Sequence, residues 1–373
     1  MKIEILSMHR VYNYGSFLQA YGLKKMLLNF VDEVEFIDLV KGIQLPENLV
    51  KTMKHEYSNN KKIDKYILRN ILSIFKDKKM SKIYKEYQNK YLNVGELHRT
   101  TPETDTVVIG SDEIFNCLQD SSWGYSNQVF GNLKAQNIFS YAASCGFTTY
   151  EDLNEELVDD IKSALKNMSN LSVRDMNTMT FLEKLGCQNI TKSLDPVFIA
   201  DFEDELSKDE NKFKLKEKFL LVYSYKNRIH RKEEIDKIRD FARRNNLKII
   251  AVGGYQKWAD EYLILNPFQV LNVFKQADFI ITDTFHGSIF SMKYNLNYIT
   301  ILRESNKNKL LDLFKTTTQE DRLVSSFENL NELFSEPIDW DITNETILKE
   351  RQYSYTYLKN SLFKQGENNE GTY

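Results

Sequence analysis

No stretch of this chain approaches the roughly 18 consecutive apolar residues that a membrane span requires. The opening MKIEILSMHR reads as a short strand carrying Glu4, not as a secretory leader. Cysteine is scarce: Cys117, Cys145 and Cys187 are odd in number, widely separated and form no CxxC pair. That argues against a disulfide framework or a zinc site and fits a reducing cytoplasmic compartment. Nor is one charge in excess, since 53 acidic residues against 50 basic leave a formal net charge of −3. Such a balance favours neither nucleic acid nor membrane as an overall partner.

Apolar residues, by contrast, are plentiful. They make up 42% of the 373 residues, with aromatics at 13%, enough for two domains, since single cores stop growing at roughly 250–300 residues. One stretch departs from the even charge: residues 51–90 hold twelve Lys or Arg against four acids, with Ile63, Ile67, Ile71, Leu72 and Phe75 at helical spacing. A basic amphipathic segment either lies on anionic lipid or binds a polyanion, or it docks by its apolar face as an insertion with a solvated charged side. The last reading is favoured, because no motif for nucleic-acid readout accompanies it.

Periodicity divides the chain in two. Residues 2–7 read as a strand and 17–28 as a helix, joined through Asn13-Tyr14-Gly15-Ser16, where Gly15 lets backbone approach a ligand and Ser16 is a good N-cap. Strands at 34–39, 105–109, 137–142 and near 172 follow. The last three end in Gly110-Ser111-Asp112-Glu113, Ala143-Ser144-Cys145-Gly146 and Ser172-Val173-Arg174-Asp175, and a doubly wound sheet presents its site at that edge. Asp195-Pro196 stops the pattern, and the charged run 201–218 reads as a connection. The plan then repeats with strands at 219–223, 248–252, 279–281 and 298–302 and helices at 232–244 and 267–276. The expected class is α/β: a Rossmann-like domain over 1–200 with a basic helical insertion at about 51–92, a second over 215–335, a cleft between them, and a C-terminal helix over 343–365.

The densest signal is residues 277–294, ADFIITDTFHGSIFSMKY. Phe279, Ile280 and Ile281 suit a buried parallel strand, and Ile289, Phe290, Met292 and Lys293 read as the first turns of a helix. His286 therefore sits where a strand ends and a helix begins, the place where ligands bind in open α/β sheets and helix amides favour an anion.

Taken in order, NYGSFLQAYGL, VIGSDEIFN, SYAASCG, SVRD, LDPVF, ADFIITDTFHGSIFSMKYN, NKNKLLDLF and LKERQYSYTYLKNSL resemble the polysaccharide pyruvyl transferases, over residues 11–365. The resemblance implies a two-lobed fold like that of GT-B glycosyltransferases, with the last helix returning to the first lobe. It implies transfer of the enolpyruvyl unit of phosphoenolpyruvate, as co-substrate, to a hexose of a cell-surface glycan or its lipid-linked precursor. The products are a pyruvate ketal and inorganic phosphate, and neither metal nor organic cofactor is expected. A cytoplasmic transferase of polysaccharide biosynthesis follows, with residues 51–92 as a candidate contact to the inner face of the membrane and no nucleic-acid partner.

Ketal formation needs a proton on the donor's methylene carbon, and histidine supplies one near neutral pH. His286 matches the family's catalytic histidine and is the expected general acid. Arg174 matches a family arginine and is the expected anchor for the donor's anions, with Gly287 and Ser288 adding contacts at the helix start. Some members carry arginine two residues before the histidine, where this chain has Thr284. The cation must then come from Arg303, Lys307 or Lys309, or from Lys226 or Arg228, with Arg303 and Lys309 the expected donor-binding pair. Acceptor activation needs a carboxylate: Asp112 is the expected one, with Glu113 beside it on the sugar, while Asp283 reads as the cap of the helix. Asn13, Gly15, Ser16 and Ser144 are expected on the acceptor side. Two other functions stay open, a GT-B-type nucleotide-sugar glycosyltransferase of exopolysaccharide or capsule synthesis and a non-catalytic membrane-surface assembly protein.

Overall fold

The computed structural model describes residues 1–50, 78–96, 98–226 and 228–363. Its strands, in chain order, are β1 (Lys2–Leu6), β2 (Glu33–Ile37), β3 (Thr106–Asp112), β4 (Asn137–Ala143), β5 (Met168–Asn170), β6 (Ser172–Val173), β7 (Thr191–Lys192), β8 (Phe219–Ser224), β9 (Lys248–Gly253), β10 (Glu261–Tyr262), β11 (Phe279–Thr282), β12 (Tyr298–Ile301) and β13 (Leu323–Val324). They pair in parallel into two sheets. The first has the order β2-β1-β3-β4-β6-β7, with β5 also on β4, and the second the order β10-β9-β8-β11-β12-β13. Runs such as FLLVYS in β8 are buried throughout, as parallel strands covered on both faces must be.

Three apolar clusters fill the layers. Two lie on the outer faces of the sheets, one around Phe115, Phe130 and Phe181, the other around Ile238, Phe241 and Phe334. The third joins the lobes: Phe17 and Tyr91 of the first meet Phe268 of the second at ring-centroid distances of 5.9 and 4.9 Å. Residues 78–87 are helical and bury Met80, Tyr84 and Tyr87 in this cluster, so the described end of the basic stretch docks by its apolar face. Residues 51–77 of that stretch lie outside the described residues. The helix Trp340–Phe363 lies against β4, where Tyr357 Oη donates to Ser140 O (2.8 Å) and Asn137 Nδ2 to Ser361 O (2.9 Å). Among the described residues no helix is long and apolar enough to cross a membrane.

Two helix starts differ from the expectation. The first helix is Tyr14–Leu27, and its N-cap is Asn13, not Ser16: Asn13 Oδ1 accepts from Gly15 N (2.7 Å) and Ser16 N (3.3 Å). Ser16 falls inside the helix and turns its hydroxyl to Asp112 instead. The helix Phe285–Lys293 is capped by Thr284, whose Oγ1 accepts from Gly287 N (3.0 Å), and not by Asp283. A buried carboxylate needs cations more than amides: Asp283 Oδ2 lies 3.6 Å from both Arg228 Nε and Arg303 Nε.

Candidate active site

The carboxyl ends of β1, β3, β6, β8 and β11 meet at a cavity of about 250 Å³ between the lobes. The first lobe contributes Met8, Val11, Asn13, Ser16, Asp112, Glu113, Gln119 and Arg174. The second contributes Tyr225, Arg228, Phe285, His286, Ser305, Asn306 and Lys309. The turn that carries His286 is therefore one wall, and the loops after β3 and β6 are the other.

Arg174 is buried. Its Nη1 donates to Asp195 Oδ2 at 2.9 Å and lies 3.8 Å from Asp112 Oδ1, its guanidinium stacks on the Phe285 ring at 4.4 Å, and its Nε has no hydrogen-bond acceptor. Burial alone would lower the guanidinium's pKa, but Asp195 and Asp112 together raise it. Asp112 occupies a left-handed backbone position, φ 72°, and accepts from Ser16 Oγ at 2.8 Å. Glu113 Oε1 accepts from Lys309 Nζ at 2.6 Å across the lobes. Burial pushes its carboxyl up, but Lys309, Arg174 and Asn116 together outweigh this and hold it at about 2. Asn13 uses its carbonyl for the helix cap and its Nδ2 to reach Tyr225 Oη at 3.1 Å.

His286 is buried with Nε2 3.4 Å from Asp195 Oδ2. Its other face lies against Gly15, where an added Cβ would stand 2.1 Å from Nδ1. Gly15 thus makes room for a side chain of the opposite lobe, and the close approach is made by His286. Asp195 is read from sequence only as a stop before proline. It caps the short helix Pro196–Ile199 through Val197 N (3.0 Å) and also faces both Arg174 and His286. Burial pushes its carboxyl up, but His286 and Arg174 hold it at about 2. No local pattern in LDPVF signals that second duty.

Other expected residues stand elsewhere. Ser288 Oγ bonds Thr284 O (3.0 Å) and Thr300 Oγ1 (2.8 Å) inside the second lobe, and the Gly287 amide is taken by the Thr284 cap. Ser144 Oγ donates to Asp175 Oδ2 (2.6 Å) and is fully buried. Arg303 binds Glu234 with both terminal nitrogens (2.7 and 3.2 Å). Of the cations proposed for the place of Thr284, Arg228 and Lys309 line the cavity, and Arg228 Nη2 donates to Ser305 Oγ.

A second pocket, about 520 Å³, adjoins the first through Met8 and Val11 and is lined further by Leu39, Trp123, Arg10, Lys41 and His98. Its rim is organised by Asp38, which accepts from Arg10 and from Arg99 N (3.1 Å) with His9 Nε2 3.2 Å away. Burial lowers the His9 pKa despite that carboxylate. Among the described residues no group of three or more His, Cys, Asp or Glu side chains is disposed to hold a metal ion.

Solved structures share this architecture. The UDP-GlcNAc 2-epimerase of Neisseria meningitidis bound to UDP-GlcNAc superposes with a TM-score of 0.52 at 10% identity, covering 98% of this chain and 100% of that one. The UDP-GlcNAc 2-epimerase of Methanocaldococcus jannaschii gives 0.51 at 12%, covering 95% and 100%. The fold is thus of the GT-B type, two parallel-sheet α/β lobes with the candidate site between them. No curated protein sequence matches the chain. The sequence profile of the family described as Polysaccharide pyruvyl transferase matches residues 13–303, and the chain belongs to that family of transferases.

Proposed function

We propose that this transferase moves the enolpyruvyl unit of phosphoenolpyruvate onto two hydroxyls of one hexose, forming a pyruvate ketal and releasing phosphate. The observation that carries this reading is the convergence of His286, Arg174 and Asp112 on one cavity, with a buried Arg174 N–H left without an acceptor. A buried donor of this kind calls for a partner, and the phosphate and carboxylate of the donor substrate supply one. Arg228 and Lys309 face the same space from the second lobe and provide the positive charge that Thr284 does not.

His286 gives its proton to the methylene carbon, leaving an oxocarbenium-like centre at C2. A sugar hydroxyl attacks C2 and passes its proton to Asp112. The C2–O bond to phosphate then breaks, and the second hydroxyl closes the ring. Of the two protons lost by the sugar, one restores His286 and the other leaves on phosphate. Asp112 is the base of the neighbouring pair, because Glu113 is taken up by Lys309 at 2.6 Å and by Asn116 at 2.9 Å. The rest of the acceptor lies in the adjoining pocket, with a sugar face on Trp123.

Phosphate release from phosphoenolpyruvate, measured against a panel of hexosides, tests the reading. Release should require both substrates, and His286→Ala should lower kcat far more than it raises KM, as expected for an interaction made in the transition state. Arg174→Ala should weaken phosphoenolpyruvate binding by about 2–5 kcal/mol. Turnover of nucleotide sugars with phosphoenolpyruvate inert would overturn the proposal in favour of a glycosyltransferase.

A further inference from the structure

The LDPVF segment serves the scaffold as a helix start, but its aspartate has no part in the chemistry above. Its Asp195 is 2% exposed and has two oxygens for three nitrogen partners. Oδ1 takes Val197 N at 3.0 Å, while Oδ2 takes Arg174 Nη1 at 2.9 Å and faces His286 Nε2 at 3.4 Å. The His286 nitrogen is buried and has no other polar partner among the described residues. At 3.4 Å the two are in ion-pair contact without a closed hydrogen bond. The opposite side of the ring, Nδ1 nearest, fills the space that a Cβ on Gly15 would take, and His286 lines the cavity.

Resting on the transferase reading, we propose that Asp195 is the positioning residue of His286. It holds Nε2–H, so the proton for the methylene carbon leaves from Nδ1, over the bare Cα of Gly15. One carboxylate oxygen thereby ties the donor anchor of the first lobe to the acid of the second. A ring nitrogen's protonation is set by the partner of the other nitrogen. An acidic oxygen at Nε2 therefore fixes which atom reacts.

The ring can be observed directly. The chain has five histidines, so protein labelled with 15N-histidine gives few signals in a long-range 1H–15N correlation, and loss of one set in His286→Gln assigns the ring. The neutral ring in the wild type should carry its hydrogen on Nε2; a hydrogen on Nδ1 would overturn the proposal. Asp195→Asn tests the same point through rate, because an amide has a single oxygen for the three N–H partners and must turn an NH2 toward one of them. We expect the His286 hydrogen to move to Nδ1 and kcat to fall by about 10²–10³-fold, with the KM for phosphoenolpyruvate little changed or lower. A kcat within about threefold of wild type, with the tautomer unchanged, sinks the assignment. The tautomer measurement needs no turnover. A wild-type protein that releases no phosphate defeats the transferase reading, while the spectrum still decides what Asp195 does to the ring.

Discussion

Gly15 stands in the first turn of a helix, where alanine is ordinarily better by about 0.8–1 kcal/mol. Here space outweighs propensity, because a Cβ would fall 2.1 Å from one ring nitrogen of His286 and 2.3 Å from its Cγ. Gly15→Ala is therefore expected to cut kcat by displacing the imidazole, while far-UV circular dichroism of the helix is unchanged. Unaltered turnover would show that the ring has another resting place. The same residue marks the limit of sequence reading at this scale. Strand-end positions for His286, Arg174 and Asp112 follow from local pattern and residue type. What Gly15 and Asp195 do depends on a side chain some 90 residues or more away on the other lobe, which no local spacing encodes. Ser288 and Ser144 show the converse. Each sits in the right turn, but at both positions the side chain points into its own lobe.

At the scale of elements, the turn before His286 is held by Thr284, whose Oγ1 serves the Gly287 amide and meets Thr282 Oγ1 at 3.1 Å. Thr284→Ala should cost about 0.5–2 kcal/mol in urea denaturation, and Thr284→Ser should recover most of it. The other end of that helix is anchored differently. Lys293 donates to Ala200 O at 2.8 Å, and burial lowers its amine to about 8, against an ordinary value of 10.5. The folded state therefore releases that proton before the unfolded chain does, and this group's contribution to stability grows between about pH 8 and 10.5, against the opposing contribution of the Cys117, Cys145 and Cys187 thiols, which burial pushes up. The stability of the wild type relative to Lys293→Met should therefore increase across that range, which paired denaturation midpoints will show. Long elements such as the helix Lys232–Arg244 are legible because their apolar period is sustained. Two-residue strands such as β7, β10 and β13 exist only by pairing with neighbours, and nothing in their own residues distinguishes them from loop.

For the molecule as a whole, the site is also the seam. Lys309 with Glu113, Asn13 with Tyr225 and Lys192 with Asp312 (2.8 Å) all cross from one lobe to the other. Because Glu113 and Asp195 are held near 2, their ionised forms stabilise the fold fully above the ordinary carboxylate range. That contribution is lost as pH falls from about 4 toward 2. Lys309→Met leaves Glu113 buried without its partner and should cost about 3–5 kcal/mol at pH 7, a gap that narrows on acidification. Urea midpoints at several pH values decide this, and a gap independent of pH would place the loss elsewhere. The rings that join the lobes, Tyr14, Tyr21, Tyr87 and Tyr91 with Phe17 and Phe268, include no indole. The chain's three tryptophans are Trp123 in the second pocket, Trp258 beside Ile229 in the second lobe, and Trp340 at the start of the last helix. Of the three, Trp340 is the one that packs against the core shared by the lobes, where it stacks on Tyr298 at 6.3 Å, so its emission is the indole signal placed to follow that core.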